Sequence, residues 1–282
     1  METNVKLVSI IIQAYNSANT VVCTLESIKA QTYPCIELII TDDRSKDNTL
    51  EIISEWMKNN QKILHGMKLV TSEVNTGIAG SNNRALRKAA GEYIVFLAAD
   101  DCMMPDAVQR YVDFCEKNKG VIPIAKVKLF SEEKCDFTAV QKYCDRCYEY
   151  ARLGRIQQYR NLLVQNWVVS PAASFYPAEV VHKLKGFDEA YRWLEDYPFN
   201  LKIMHKGYSF GFIDQELVQY RISGKSITGS RLTPLKKNEA KLFFREKMWY
   251  MIEAGMGWEA VKQSRYWLKI LMAGNNRGQQ YC

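Results

Sequence analysis

Three acidic clusters carry side chains that could do chemistry in this chain: Asp42-Asp43-Arg44-Ser45-Lys46-Asp47-Asn48-Thr49, Ala98-Ala99-Asp100-Asp101 and Trp193-Leu194-Glu195-Asp196. A carboxylate followed by small polar residues, as in the first, can accept the ring N–H of a pyrimidine base. It can equally be a loop in which Asp47 only caps the next helix. The second could hold a hard divalent cation, which takes carboxylate and phosphate oxygens together and neutralises charge on a diphosphate leaving group. A capped turn before Pro105 is the plainer alternative. The third could supply a general base that removes a proton from an acceptor hydroxyl, or it could simply start a helix, where acids are favoured.

The surrounding pattern says what must position these groups. Val8–Ile12 and Ile36–Ile40 are short β-branched runs that read as fully buried strands, with Lys68–Val70 and Tyr93–Leu97 as a third and fourth. Between them lie helical patterns over Thr20–Gln31, from an Asp47 N-cap to Asn59, and over Gly77–Ala90, and another helix opens at Pro105. Strand and helix in alternation predict a parallel sheet flanked by helices, an α/β fold. Ligands of such sheets bind beyond the carboxyl ends of the strands, where both aspartate pairs fall. From about residue 121 the rhythm changes. Val121–Phe130 reads as an exposed or edge strand, 132–168 as helical, and Ser170–Tyr176 as extended. Gly186-Phe187-Asp188 reads as a turn, Tyr197–His205 as a helix, Ser209–Ile213 and Leu217–Tyr220 as two strands, and Leu235–Leu271 as a helical tail.

Composition narrows the classes. Hydrophobic residues make up 47% and charged residues 24%, ordinary for a globular protein with a real core. The net charge of +7 suits anionic partners such as phosphorylated ligands, acidic glycans or a lipid surface, but it is too spread for nucleic acid. Eight cysteines, with Cys144 and Cys147 the one C-x-x-C pair, make neither a disulfide framework nor a zinc ribbon. His65, His182 and His205 are scattered without metal-ligand spacing. No apolar run reaches the roughly 18–20 residues of a membrane span, and the N-terminus lacks a signal-peptide core. A cytoplasmic protein, or one peripheral on the inner face of the membrane, is expected.

In their order, the clusters resemble family 2 glycosyltransferases. Ala14-Tyr15-Asn16 is similar to that family's opening P-x-Y-N, with Gln13 in place of the proline. Asp42 to Thr49 matches D-D-x-S-x-D-x-T, and Asn75-Thr76-Gly77 to Asn83 resembles N-x-G-x-x-x-x-x-N. Gly91 to Leu97 leads into the D-x-D position. Gly186-Phe187-Asp188 with Glu195-Asp196 resembles the acceptor-side G-F-D…E-D, and Tyr220-Arg221 the late Y-R. The resemblance implies a GT-A domain over 1–230, divided into a nucleotide-sugar-binding half (1–120) and an acceptor-side half (121–230), followed by a helical extension over 231–282. It implies inverting transfer from a nucleotide-diphosphate sugar, UDP-linked by family weight, to a glycan or lipid-linked acceptor. Ala14, Tyr15, Asn16, Asp42, Asn75, Gly77, Asn82 and Ala99 would line the nucleotide, with Asp42 at the base edge. Asp100 would bind Mn²⁺ or Mg²⁺, Asp196 would act as general base supported by Glu195, and Arg221 or Lys225 would assist the diphosphate.

The first D-x-D acid is missing at Ala98, and Ser223 stands where a histidine often follows Y-R. Two other readings stand beside the transferase: a non-catalytic nucleotide-sugar-binding subunit, motivated by Ala98, and a sugar-nucleotidyltransferase. The latter wants a glycine-rich loop that Gln13-Ala14-Tyr15-Asn16-Ser17 does not provide. The tail, basic and apolar together from Lys236 to Trp249, could lie on an anionic membrane, form a dimer interface or pack back on the domain.

Overall fold

The computed structural model describes residues 5–192, 194–223 and 232–275, with backbone alone for 232–234 and 273–275. Lys225 and Trp193 lie outside the described residues. The central sheet runs β3 (Gly66–Thr71), β2 (Ile36–Asp42), β1 (Val8–Ala14), β4 (Tyr93–Ala98) and β7 (Tyr176–Pro177). The first three pairings are parallel and the last is antiparallel. Parallel neighbours need crossovers, here α1 (Val21–Lys29), α2 (Thr49–Asn59) and α3 (Gly77–Leu86).

These strands read as unbroken apolar runs because both faces of the sheet are covered. Successive side chains point to opposite faces. Ile10, Ile12, Leu38, Ile40, Val95 and Leu97 share one core with Leu25 and Ile28 of α1 and Ile53 and Trp56 of α2. Ile11, Ile39, Ile94 and Phe96 belong to a second core with Ala79 and Leu86 of α3, Phe187 and Phe199. Glu37 is the polar exception inside the sheet. It is 4% exposed and accepts hydrogen bonds from Ser9 Oγ, Lys68 Nζ and the Ala90 and Gly91 amides. Burial pushes its pKa up, but those bonds prevail and leave it lowered.

A smaller sheet of order β5 (Cys102–Met103), β8 (Ser209–Arg221) and β6 (Val121–Phe130) joins the carboxyl-end side through β5, which follows β4 by a short turn. Its last strand is one element where the sequence predicts two. The polar stretch Asp214–Glu216 that interrupts the apolar pattern is absorbed as a register shift against Ala125–Val127, with Asp214 paired to Lys126 and Arg152. β6 is an edge strand as predicted, yet Ile122, Ile124 and Ala125 are fully buried, because α4 (Ala107–Lys117) and α5 (Thr138–Ala151) cover it. α2 begins at Thr49, so Asn48 and not Asp47 is its N-cap residue. Asp47 still accepts the Thr49 amide hydrogen bond from one position earlier. Cys144 and Cys147 are buried on α5, their thiols pushed up to about 11 and about 12, chiefly by burial.

The remaining α-helices among the described residues are α6 (Arg155–Val164), α7 (Ala178–Lys183), α8 (Asp196–His205), α9 (Leu232–Leu242), α10 (Met248–Glu253) and α11 (Gly257–Asn275). A π-turn, Phe243–Lys247, joins α9 to α10. The tail packs back: Leu242, Phe243, Met251, Ala260 and Trp267 are buried in the second core.

Candidate active site

Chain order explains where a ligand can enter. From β1 the chain steps outward to β2 and β3, then returns to place β4 on the other side of β1. At such a switch point the loops leaving β1 and β4 diverge and open a crevice at their carboxyl ends. The loop after β1 carries Tyr15 and Asn16, and the loop after β4 carries Ala99 to Asp101. Two bonds fix their spacing: the Ala99 amide donates to the Gln13 carbonyl, and Thr20 Oγ1 donates to the Ala99 carbonyl.

The β1 and β2 loops are laced together. Ala14 is buried and pairs with Asp42 across the strand ends, whereas Tyr15 is 39% exposed. Asn16 and Arg44 both take positive φ, at 52° and 65°. Asn16 donates its amide to Ser45 Oγ and accepts the Lys46 amide on Oδ1. Ser17 and Ala18 donate to Thr49 Oγ1 and Asp47 Oδ2. Asp42 accepts the Ser45 amide at 3.0 Å and its hydroxyl at 2.5 Å, one on each oxygen. A carboxylate has about four lone-pair sites, so acceptor capacity remains.

Asp43 does more than its sequence position suggested. It is 2% exposed and accepts Thr76 N and Oγ1 and Arg84 Nη2 on one oxygen and Gly77 N on the other. A carboxylate at this helix N-terminus also meets the positive end of the α3 dipole. Gly77 sits at φ +77°, and a Cβ there would come within 2.9 Å of Arg192 Cγ. Asn75 links the same corner, donating to the Asp43 carbonyl and accepting from Arg192. Asn82 is buried and its Oδ1 has no hydrogen-bond partner. Its neighbour Asn83 instead clamps the Gly186-Phe187-Asp188 turn, bonding both the amide and the carbonyl of Phe187 as well as Glu189. Asp43 and Asn83 both stand within the motifs read from the sequence, where the expected nucleotide contacts fell on their neighbours Asp42 and Asn82.

At the β4 tip Asp100 and Asp101 lie side by side. Burial raises the pKa of both, and the charge of Asp100 raises Asp101 further. Asp101 accepts the Arg221 amide on Oδ1. The Arg221 side chain is 7% exposed, donating from Nε to the Asp100 carbonyl and from Nη1 to Glu132, over the Phe130 ring. It therefore braces the Asp100 loop. Among the described residues no group of three or more His, Cys, Asp or Glu is arranged to hold a metal. The crowded carboxylates nonetheless suit a hard cation that brings its other oxygen ligands with it. Asp100 is the residue that would hold such an ion, whose charge would offset that of a leaving diphosphate.

Glu195 and Asp196 open α8. Burial pushes Glu195 up to about 8, the Asp196 charge adding to it. Asp196 is also raised by burial, against the hydrogen bond that Asn166 Nδ2 donates to its Oδ2 at 2.9 Å. Glu239 of α9 stands within the field of Asp196, its own pKa raised by burial. Lys247, 3% exposed in the π-turn, opposes that shift. The Lys247 ammonium donates to the Val164 carbonyl, and burial lowers its pKa to about 8. Tyr220 feels acids of both sites: its phenol is raised by burial and then by Asp101, Asp100, Cys144 and Asp196.

The model of the family described as glycosyl transferase family 2 matches residues 9–185. The chain belongs to glycosyl transferase family 2. A similar family member, the UDP-Glc:alpha-D-GlcNAc-diphosphoundecaprenol beta-1,3-glucosyltransferase WfgD of Escherichia coli, is 27% identical over 234 residues. The match covers 82% of this chain and 83% of that protein. Among solved structures, TarS 1-349 of S. aureus in complex with UDP superposes with a TM-score of 0.64 at 18% identity, over 88% of this chain and 70% of that one. The mannosyltransferase PcManGT from Pyrobaculum calidifontis, in complex with GDP-Man and Mn²⁺, gives 0.65 at 17% identity, over 97% and 81%. The fold is GT-A, and the chain is a glycosyltransferase. Family membership removes the sugar-nucleotidyltransferase reading.

Proposed function

We propose that the chain transfers a sugar, with inversion, from a nucleotide-diphosphate donor to a hydroxyl of a glycan or lipid-linked acceptor in polysaccharide assembly. The observation that carries this reading is two buried acidic pairs, one in the β4 loop beside the switch-point crevice and one at the α8 N-terminus, with Asp100, Asp101 and Asp196 all raising the Tyr220 phenol. Donor-side and acceptor-side chemistry need acids on opposite walls of one cleft. Asp196 takes the acceptor proton as general base. Glu195 is pushed up to about 8 and so keeps its proton at neutral pH, while Asp196, also raised by burial, has the Asn166 hydrogen bond that favours its charged form. Asp42 and the Tyr15–Asn16 loop receive the nucleotide, with Asn75, Gly77, Asn82 and Ala99 around it, and Asp100 would hold Mn²⁺ or Mg²⁺, whose charge would offset that of the diphosphate. The WfgD glucosyltransferase name supports a UDP-sugar and a lipid-diphosphate acceptor; the GDP-Man complex of PcManGT keeps the choice of base an experimental one.

The test is calorimetric titration of UDP into the protein with and without Mn²⁺, beside Asp100→Ala. Metal-dependent binding that the variant loses is the expected result. Silence toward UDP, GDP and dTDP in both conditions would overturn the donor site.

A further inference from the structure

We propose that the outward face of α11 is a docking surface for an anionic phospholipid bilayer. The inward face is settled: Ala260 and Trp267 are 2% and 8% exposed and belong to the second core. On a helix turning 100° per residue, the opposite side collects Trp258, Val261, Arg265, Leu268, Lys269 and Met272, with Lys262 beside them. Trp258 is 78% and Met272 66% exposed, with Val261, Leu268 and the flanking Tyr266 close to half exposed. A solvent-facing side is ordinarily polar. This one carries large apolar side chains and three cations, and the one acid of α11, Glu259, lies toward the flank at 30% side-chain exposure.

That composition selects the occupant. Interfacial helices combine an apolar surface that enters the headgroup boundary with Lys and Arg that meet lipid phosphates, and a tryptophan suits that depth. A second copy of the chain fits poorly, because a two-fold contact would set the Lys262, Arg265 and Lys269 cluster against the same cluster of the other copy. Before the start of α11 lie two more cations, Arg155 and Arg160, beside one acid, Glu253. A pocket of about 200 Å³ at the end of α10 is lined by Arg155, Ile156, Tyr159, Arg160, His205, Glu253 and Ala254; Ile156 is 67% exposed.

The experiment is co-sedimentation of the full chain with phosphatidylcholine vesicles, with and without phosphatidylglycerol. It includes the variants Trp258→Ser and Lys262→Glu/Arg265→Glu/Lys269→Glu, and each protein is also sized by light scattering. Retention on anionic vesicles only, weakened by salt and reduced at least about tenfold by the charge reversal, is the expected result. Trp258→Ser should reduce retention as well. The wild type failing to bind anionic vesicles, or binding undiminished in both variants, would overturn the proposal. So would a dimer that the variants dissolve without any vesicle binding. These side chains are exposed, so the melting temperature should not move. UDP titration of the same variants keeps a failure here distinct from a failure of the transferase reading.

Discussion

Asp196 and Glu195 are adjacent carboxyl groups with different expected roles, and substitution should separate them. Asp196→Asn removes the proposed base and should lower kcat by about 10²- to 10⁴-fold in a sugar-transfer assay. Glu195→Gln mimics the protonated form that Glu195 holds below about 8, so transfer at pH 7 should fall only a few-fold. Equal losses in the two variants would sink this division of roles. Stability supplies an independent reading. A carboxyl whose folded pKa lies near 8 against an ordinary 4.5 binds its proton more tightly when folded, so its contribution is full below 4.5 and is lost as pH rises through about 8. Glu195→Gln should flatten that decline in urea titrations across the window. Removing the Asn166 hydrogen bond acts in the opposite sense to the variants at Glu195. Asn166→Ala deprives ionised Asp196 of a donor, raises its pKa further and should shift the acid limb of kcat/KM to higher pH. An unmoved limb would mean that Asp196 is not the group titrating. The acids themselves were legible as types in the sequence. Their partners Asn166 and Glu239 were not, because Asn166 comes from the loop after α6 and Glu239 from α9, and neither carries a local pattern.

Elements were easiest to read where burial on both sides left an unbroken apolar run, as in β1, β2 and β4. They were hardest where tertiary contacts compensate a broken pattern. Asp214-Gln215-Glu216 looks like a loop, yet ion pairs to Lys126 and Arg152 let β8 pass through it as a bulge. Lys126 and Lys128 make β6 look exposed, while α4 and α5 bury the residues before them. The start of α3 shows the same dependence on distant partners. Asp43 at the β2 tip satisfies the Thr76 and Gly77 amides and neutralises Arg84, whose side chain is 15% exposed. Asp43→Ala would strand a mostly buried guanidinium and two amides, at a cost of about 3–5 kcal/mol in urea unfolding. Gly77→Ala tests the backbone alone, since a positive φ disfavours any Cβ by about 1–2 kcal/mol. Arg192 Cγ at 2.9 Å adds crowding. A cost near zero for Gly77→Ala would mean that the α3 start relaxes freely and does not hold the nucleotide corner in place.

The sequence leaves the tail free to lie on a membrane, form a dimer interface or pack back on the domain, and in the structure it packs back. Its buried side chains Leu242, Phe243, Met251 and Trp267 share a core with Tyr197 and Phe199, which immediately follow or lie within one turn of Asp196. Burying one large apolar side chain contributes about 1.5–3 kcal/mol, so removing several of them approaches the whole stability of a domain, roughly 5–15 kcal/mol. Deletion would also remove Lys247, which is buried against the Val164 carbonyl and lies over the Tyr197 ring at 5.2 Å. A chain ending before Leu232 should therefore lose cooperative thermal unfolding and UDP binding together. Soluble, cooperatively folding protein after that truncation would show that the central sheet and α1–α8 suffice, and that the tail is held to the domain more weakly than its burial implies. Point substitutions on the outward face of α11 leave this packing untouched, which is why they, and not truncation, can separate what the tail holds together from what it docks against.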